Sequence, residues 1–353
     1  MVPYWTLFVI WAVGAIQFSR WANKAKQNIP FIFAVVLTTV MIGLRYDVGG
    51  DWNAYLEIYR DIYFQPLTKG LKLSDPGYAF LNWVAGRMNL GIWFPNLVCG
   101  ILFMGGFARL AWRQPNPWLA VLVAVPYLII VVAMGYTRQA AAIGIICWAL
   151  ADASSTRIMR LVVLIGLATL FHKTAVLFLP ILLAPVLTRN PLVGLLGAVA
   201  FAGLFLAFLG GSSDRLITNY VYSNYDSQGA GIRIAMNVLA AVVMLMLRNR
   251  MGLDDFLKSF WTICAVLALV SVLALITTRA SSGVDRLSLF LIPLQVVAFS
   301  RLPYALSRSD KALPSALIGV IGYSFAVQFV WLNYADNAFT WLPYRNFILA
   351  GEG

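Results

Sequence analysis

The sequence predicts an all-α, polytopic integral membrane protein. Of its 353 residues, 61% are hydrophobic and only 11% are charged, whereas soluble domains carry about 25% charged residues. Apolar runs recur from one end of the chain to the other, many of them close to the roughly 20 residues that a bilayer-spanning helix needs. We therefore expect a single polytopic membrane domain, residues 1–353, with about twelve transmembrane helices and no separate soluble domain.

The net charge of +12 fits either nucleic-acid binding or a lysine and arginine bias in cytoplasmic turns. The second cause is the commoner one in a membrane protein. Basic residues do concentrate in alternate turns, beginning with Arg20, Lys24 and Lys26 after the first apolar run. This pattern predicts that both termini lie outside, and that the protein has no nucleic-acid partner. The first run has no basic residues before it, so we do not expect a cleaved signal peptide.

The apolar runs give the positions of the expected spans. These are residues 2–19, 29–44, 91–110, 117–135, 138–152, 157–171, 174–188, 191–209, 231–248, 258–277, 284–301 and 313–331. Two of them, 138–152 and 157–171, are short for a bilayer, which favours tilted helices or helices broken around a cavity. Residues 45–90 form the longest polar stretch, and 211–230 form a second outer loop.

The outer loop 45–90 contains signals for two short helices. Tyr55, Ile58, Tyr59 and Ile62 recur at helical spacing, which indicates an amphipathic helix lying at the membrane surface. The run Asp75-Pro76-Gly77-Tyr78 is typical of a helix start with proline in the first turn. We therefore expect interfacial helices within an extracytoplasmic loop.

The residues that most often bind metals are scarce. The three cysteines, Cys99, Cys147 and Cys264, all lie in apolar segments, where we expect buried thiols without disulfides or metal. A single histidine excludes a histidine cage. We find neither GxxxxGK[ST] nor GxGxxG, so cytoplasmic nucleotide use has no support. We expect no metal and no cofactor.

Polar residues collect where the chain is expected to emerge on the outer side. They are Arg45, Asp47, Asp51, Arg138, Gln139, His172, Lys173, Arg279, Asp285 and Arg286. Each has a simple structural alternative, such as a surface ion pair, a snorkelling cation, a helix cap or a solvated turn. The aromatic residues near them could equally form an interface belt. Ionisable residues at membrane depth are costly unless they are paired or face a wet cavity, so their convergence on one side favours a functional site.

These residue types suit one kind of chemistry. Arginine forks bind pyrophosphate and stabilise its charge as a leaving group departs. A carboxylate or an imidazole can take the proton of an attacking hydroxyl. The set therefore favours glycosyl transfer from a donor carried on a lipid pyrophosphate.

The stretch from Arg45 to Tyr55 is similar to the opening motif of the EpsG family of Wzy-type polysaccharide polymerases. It has an arginine, a glycine four residues on, an aspartate at 51, then an aromatic residue and Tyr55. The family's later motifs follow in order over roughly residues 40 to 345. They resemble Asp75-Pro76-Gly77-Tyr78, Thr137-Arg138-Gln139, Phe171-His172-Lys173-Thr174-Ala175, Asp285-Arg286 and Trp341-Leu342-Pro343-Tyr344. One departure is Leu287, where the family pattern has an aromatic residue.

The resemblance implies a metal-independent, inverting glycosyltransferase on the outer face of the bacterial cytoplasmic membrane. It would transfer a growing glycan from undecaprenyl pyrophosphate to a new lipid-linked repeat unit, making O-antigen, capsule or exopolysaccharide. A chain-length regulator would be a partner beside the lipid bilayer.

The resemblance also implies roles for individual residues. Arg45, Arg138 and Arg286 would contact pyrophosphate, and Asp51 or His172 would be the base. Asp47 would orient Arg45, and Gln139 would orient the sugar. Five further residues complete the expected substrate-binding set: Tyr55, Lys173, Arg279, Asp285 and Tyr344.

Two other functions remain open from the sequence. An O-antigen ligase uses the same donor, but its dominant outer loop is expected late in the chain, whereas here the longest outer loop is early. A flippase or transporter would favour internal repeats and ionisable residues near the bilayer midplane. We find no repeat, and the candidates gather toward one side.

Overall fold

The computed structural model describes residues 1–19, 27–154, 156–187, 191–208, 229–277, 281–307 and 312–350. Throughout these residues the regular structure is helical, and the sole β-type pairing is an isolated bridge between Arg45 and Asn346. The predicted all-α class is therefore confirmed. The second predicted outer loop, 211–230, lies almost entirely outside the described residues.

The described α-helices are named here in chain order. They are α1 (Val2–Gln17), α2 (Asn28–Gly43), α3 (Trp52–Tyr63), α4 (Leu67–Gly70), α5 (Pro76–Arg87), α6 (Trp93–Trp112), α7 (Pro117–Ala124), α8 (Thr137–Ala151), α9 (Ile158–Phe171), α10 (Phe178–Leu187), α11 (Pro191–Phe208), α12 (Ala230–Leu247), α13 (Asp255–Thr277), α14 (Ser281–Ser288), α15 (Ile292–Leu306), α16 (Ala312–Tyr334) and α17 (Phe347–Ala350). A π-helix, Val125–Ala133, continues α7, and short 3₁₀ turns precede α10 and α15.

Several helices have the composition of membrane spans. Five stretches are long and apolar enough to cross a bilayer: Trp93–Trp112, Ala230–Arg250, Asp255–Thr277, Val284–Leu306 and Leu313–Tyr334. Shorter apolar helices occupy other predicted span positions, including the two expected to be short, now Thr137–Ala151 and Ile158–Phe171. The protein is thus a helical membrane protein. The number of crossings and the side on which each terminus lies stay predictions.

The chain folds into two compact units. The first unit comprises Met1–Trp148, Leu170–His172 and Ile321–Gly353, and the second comprises Ala149–Thr169 and Lys173–Val320. In the first unit α1 packs on α7, α2 on α6, and α3 on α5. In the second unit α12 packs on α13 and α15, and α10 packs on α11 and α13.

The two short helices of the 45–90 loop form as the sequence predicts. Helix α3 buries Trp52, Tyr55 and Ile62 on one side, which confirms the amphipathic pattern. Helix α5 begins at Pro76, with Asp75 in the N-cap position. Because α3 packs against α5, the loop folds as a small helical layer of the first unit. Its position at a membrane surface stays a prediction.

Glycines set how closely α6 and α8 approach. A Cβ added to Gly106 would lie 1.9 Å from the carbonyl oxygen of Gly144, and one added to Gly144 would lie 2.3 Å from Cα of Phe103. The two backbones are therefore in contact, as in the small-residue interfaces of membrane helices. This close packing fixes α8, the helix that carries Arg138, against α6.

Ten residues near the C-terminus, 338–347, pack on the start of the 45–90 loop, and we call them the C-terminal clamp. Backbone hydrogen bonds join Gly49 N to the Thr340 carbonyl at 2.9 Å and Phe347 N to the Leu44 carbonyl at 2.7 Å. Gly49 has a φ of +108°, and a Cβ there would lie 2.5 Å from the Met134 oxygen. The first glycine of the pair is thus required by both conformation and space.

Candidate functional site

Arg45 is the most enclosed charged residue of the site. Its side chain is 1% exposed, and it donates to the carbonyls of Ile42 at 2.6 Å and Val48 at 3.3 Å. Its Nη2 donates to Thr137 Oγ1 at 2.6 Å and reaches Asn96 Oδ1 at 3.4 Å. The guanidinium therefore joins the end of α2, the glycine-pair loop, α6 and α8.

The positive charge of Arg45 has no carboxylate partner among the described residues. All four acceptors around it are neutral, and burial lowers the pKa of Arg45. A buried cation without a counter-charge destabilises a fold. It leaves the interior of the first unit electropositive, which favours an anion nearby.

Arg138, the second residue of α8, is more exposed than Arg45. Its Nη1 lies 2.8 Å from Asp75 Oδ2, and its side chain is 31% exposed against 7% for the aspartate. The same nitrogen also reaches Ser74 Oγ at 3.4 Å. Its Nε is buried and makes no hydrogen bond to the residues that the structure describes. Arg138 is therefore held by one carboxylate and retains an unused donor.

Aromatic side chains form the floor beneath Arg138. Its Cζ lies 5.9 Å from the centroid of the Tyr55 ring, and that ring meets Tyr78 edge-on at 5.4 Å. Both tyrosines belong to one buried cluster with Trp52, Ile92, Cys99 and Ala141 of α8. Burial raises the pKa of Tyr55 and of Tyr78 above that of an exposed phenol, so both stay neutral at pH 7. The ring of Tyr55, a predicted substrate-binding residue, thus packs against the guanidinium of Arg138.

Asp47 does not orient Arg45, and this prediction is wrong. Its carboxylate instead accepts from Arg345 Nη1 at 2.9 Å, with both side chains about half exposed. Asp47 has a φ of +50°, and its side chain belongs to the exposed face of the loop. Neutral acceptors, mainly backbone carbonyls and Thr137, orient Arg45 instead.

Other predicted residues of the first unit lie on the elements that build this cluster. Asp51 is partly exposed at the N-cap of α3, close enough to Tyr55 to affect its pKa. Gln139 is buried in the first turn of α8. His172 follows Phe171, whose ring packs against the same aromatic cluster. These positions leave Asp51 and His172 as candidate bases, a role that stays a prediction.

Tyr344 lies in the C-terminal clamp. Its hydroxyl donates to the Met41 carbonyl at 3.0 Å and accepts from Asn346 Nδ2 at 3.2 Å. Trp341 of the clamp is buried, and its Nε1 donates to the Ile130 carbonyl at 2.8 Å. These bonds tie the clamp to α2 and to the π-helix. Substrate binding by Tyr344 stays a prediction.

The second unit contains the remaining candidates. Asp285 on α14 forms a forked ion pair with Arg233 of α12, with nitrogen–oxygen distances of 2.5 and 2.7 Å. Arg286 beside it is exposed, and Lys173 starts the 3₁₀ turn before α10. Arg279 lies outside the described residues. Substrate contact by Arg286 and Lys173 stays a prediction.

Several polar residues that hold these sites were absent from the predicted set. In the second unit Asn237 donates to the Ser288 carbonyl at 3.0 Å and accepts from Gln295 at 2.7 Å, which extends the Arg233–Asp285 pair inward. In the first unit Asn96 and Thr137 accept hydrogen bonds from Arg45. Most of these residues lie inside apolar runs, which is the signal that could have found them.

Among the described residues, no three His, Cys, Asp or Glu side chains are grouped as a metal site would require. The three cysteines are all buried, as their apolar surroundings predict. Absence of a metal from the reaction stays a prediction.

A family model gives the decisive comparison. The model described as EpsG family matches residues 28–346, which is nearly the whole chain. The chain belongs to the EpsG family. EpsG proteins are Wzy-like polymerases, so the resemblance that the sequence motifs indicate is confirmed. Neither the curated proteins nor the solved structures contain a match.

The EpsG match spans all the residues described above as a site in the first unit. It begins at α2, just before Arg45, and ends at Asn346, the partner of Arg45 in the isolated bridge. The family region therefore includes the two arginines and all of the clamp except its last residue, Phe347.

Proposed function

We propose that this EpsG-family protein polymerises oligosaccharide repeat units carried on undecaprenyl pyrophosphate, as a metal-independent inverting glycosyltransferase. The observation that carries the proposal is the pair of arginines in the first unit. Arg138 is partly exposed and paired with Asp75, and Arg45, which is hydrogen-bonded to the residue before Arg138, has no carboxylate partner among the described residues. Two cations in one partly enclosed place suit a multiply charged anion such as pyrophosphate.

In the proposed reaction Arg138 binds the pyrophosphate of the donor, and Asp75 holds its guanidinium in the required direction. Arg45 acts through Thr137 and through its charge, because its enclosed position fits a positioning role better than direct contact. This differs from the role that the resemblance implies for Arg45. Pyrophosphate contact by Arg286 stays a prediction from the resemblance.

The proposed chemical step is a single displacement. A hydroxyl at the non-reducing end of the acceptor unit attacks the anomeric carbon of the donor glycan, forming a new C–O bond with inverted configuration. The bond from that carbon to the pyrophosphate oxygen breaks, and its electron pair stays on pyrophosphate beside Arg138. The hydroxyl proton passes to Asp51 or His172 as general base. Asp75, engaged with Arg138 and mostly buried, is the weaker candidate for the base.

We place this reaction on the outer face of the bacterial cytoplasmic membrane. The support is the asymmetry of basic residues in the turns and the family itself. A chain-length regulator is the expected protein partner.

The direct test is a reconstitution. Purified protein in detergent receives one lipid-pyrophosphate-linked repeat unit with EDTA present, and products are separated on a gel. A ladder of longer products is expected, and the matched Arg138→Ala protein should give none. Absence of a ladder with a substrate that another polymerase extends would reject the proposal. Transfer of preformed polymer to a lipid A core acceptor would then support a ligase, and lipid movement across vesicles would support a flippase.

A further inference from the structure

A cavity of about 500 Å³ lies in the first unit, between the start of α2 and the end of α6. That volume is within the usual range of small-molecule sites. Among the described residues that line it none is acidic, and they include Asn28, Phe31 and Ile32 of α2 and Arg109, Trp112 and Arg113 at the end of α6. Asn96, which contacts Arg45, lies near the other end of this 20-residue helix, which is about 30 Å long. The cavity is therefore separate from the Arg45–Arg138 site.

Two arginines of the lining lie one helical turn apart on the same side of α6. Arg109 and Arg113 are both exposed, and like charges at this spacing repel each other. Each makes other contacts as well, and Cζ of Arg109 lies 6.0 Å from the centroid of the Trp148 ring. A guanidinium has five N–H donors in a plane, so it can contact a ring or another residue and still donate to an anion in the cavity. The pair therefore favours a negatively charged ligand here.

The start of α2 adds to this attraction. Its N-cap residue, Gln27, makes no capping side-chain hydrogen bond, and its first turn has no acidic residue. Asn28, the first residue of the helix, lines the cavity. The partial positive charge at the N-terminus of α2 therefore acts on the same space as the two arginines.

The rest of the surroundings is apolar. Phe31 is 3% exposed, and its ring packs on Trp112 with the centroids 5.0 Å apart. A Cβ on Gly105, one turn before Arg109, would meet no atom within 4 Å, so there is open space along α6. Further from the arginines the exposed side chains are aliphatic or aromatic: Ile32, Phe33 and Val36 on α2 and Ile101 on α6. Apolar surface thus continues from the charged end of the cavity along both helices, as the tails of a lipid would require.

We propose that this cavity binds the head group of an anionic phospholipid of the surrounding bilayer. Its phosphate lies by Arg109 and Arg113, and its acyl chains follow the exposed apolar surface of α2 and α6. Basic pockets between membrane helices bind such head groups. A soluble anion would use the charges but not the apolar surface, which favours a lipid. The inference does not rest on the proposed function, because this lipid is not consumed and binds at the other end of α6 from the Arg45–Arg138 site.

The experiment uses the full-length protein in nanodiscs and a trace of phosphatidylglycerol that carries a photoreactive diazirine near its head. In phosphatidylcholine nanodiscs, labelled peptides are expected from the start of α2 and the end of α6. In nanodiscs of unlabelled phosphatidylglycerol their labelling should be about tenfold lower, because each basic residue strengthens the binding of anionic lipid. Equal labelling in the two bilayers, or labelling of other helices alone, would overturn the proposal.

Two competitors separate this lipid from other phosphate-containing ligands. Soluble glycerophosphoglycerol should not displace the probe, and displacement would assign the cavity to a free phosphate ester. A polyprenyl phosphate should compete no better than phosphatidylglycerol, and stronger competition would assign the cavity to a glycan carrier. Either of these contrary results would overturn the proposal.

Matched variants make the test specific to the two arginines. The double variant Arg109→Gln, Arg113→Gln should reduce labelling of α2 and α6 at least about fivefold. The control is Arg157→Gln, Arg250→Gln, which removes the same charge from two exposed arginines outside the lining and should label normally. Equal losses in both would show that only net charge matters, and would overturn the proposal.

A second variant fills the cavity and keeps both charges, which covers the case in which the double variant does not fold. Ala108 lines the cavity, so Ala108→Trp should reduce labelling of the same two helices. Val163→Trp, at an exposed position of α9, is its control and should label normally. Full labelling of Ala108→Trp would overturn the proposal.

Discussion

Arg45 donates from Nη2 to the hydroxyl of Thr137 at 2.6 Å, and Thr137 is the residue directly before Arg138 in α8. The enclosed arginine therefore holds the first residue of the helix that presents the accessible arginine. A short path of one hydrogen bond and one peptide unit connects the family's opening motif to the Arg138–Asp75 pair.

Replacing Arg45 by lysine is expected to abolish most polymer formation. An ammonium group cannot reach two carbonyls, Asn96 and Thr137 with the fixed geometry of a guanidinium. The measurement is the ladder formed by purified protein, with Arg345→Lys as the exposed arginine control. Wild-type activity in Arg45→Lys would show that the hydrogen-bond geometry of the guanidinium is not required.

Arg138→Ala is expected to lower kcat/KM by about 10² to 10³, the loss seen when one group that stabilises a developing anion is removed. Arg87→Ala is the matched control, because Arg87 is also at a helix end and also contacts an aromatic ring, that of Trp83. Protein level and melting temperature should be similar in both variants. Equal activity of the two proteins would remove Arg138 from the proposed site.

The two aspartate–arginine pairs of the first unit should respond differently to neutralisation. Asp47→Asn breaks an ion pair that is about half exposed, and such pairs contribute about 0 to 1 kcal/mol, so activity should stay within about twofold. Asp75→Asn removes the mostly buried partner of Arg138 and should reduce activity strongly, chiefly through a higher KM. Initial rates over a range of donor concentrations measure both effects. A large loss in Asp47→Asn would restore the role that the sequence predicted for it.

Trp341→Ala is expected to destabilise the first unit by about 3 to 5 kcal/mol, the usual range for a buried tryptophan. Its side chain is 2% exposed, and its ring fills the space over Gly135. Phe339→Ala is the control in the same segment, because Phe339 is 72% exposed. Melting temperature in detergent distinguishes them, and similar melting of both variants would show that the clamp is not held by Trp341.

Stability should fall at alkaline pH because Tyr55 and Tyr78 are buried as neutral phenols. Their pKa values are higher in the folded state than the ordinary value of about 10. Their contribution is therefore complete below pH 10 and is lost as the pH rises toward the folded values. Melting temperature from pH 8 to 11 should fall less steeply in Tyr78→Phe than in wild type. Tyr63→Phe, which removes an exposed hydroxyl bonded to Asn89, is the control.

The helical class, the positions of most helices and the two short helices of the 45–90 loop follow from periodicity. Tyr55 and Ile62 are spaced so that one side of α3 is apolar, and that side is buried. Periodicity carries no information on which distant residues meet. The start of α8 is thus predictable, whereas the contact between Thr137 and Arg45 is not.

The pairing of charges shows the same limit. Asp47 is two residues from Arg45, yet the positive φ of Asp47 and the approach of the clamp bring it to Arg345, which lies 298 residues away in the chain. Asp75 and Arg138 each occur in a motif of the sequence, but nothing in either motif indicates that they pair. Arg233 was missed altogether, because a lone arginine at the start of an apolar run also fits a helix end at the interface.

The bonds between the glycine-pair loop and residues 338–347 have a consequence for biosynthesis. The loop leaves the ribosome well before its partners, since Asp47 and Arg345 lie 298 residues apart in the chain. Until they emerge, Gly49 N lacks its acceptor and Leu44 O lacks its donor. Nascent chains, and chains that terminate before residue 338, would therefore be inserted without these bonds, so the loop can reach its final conformation only after residues 338–347 have been translated.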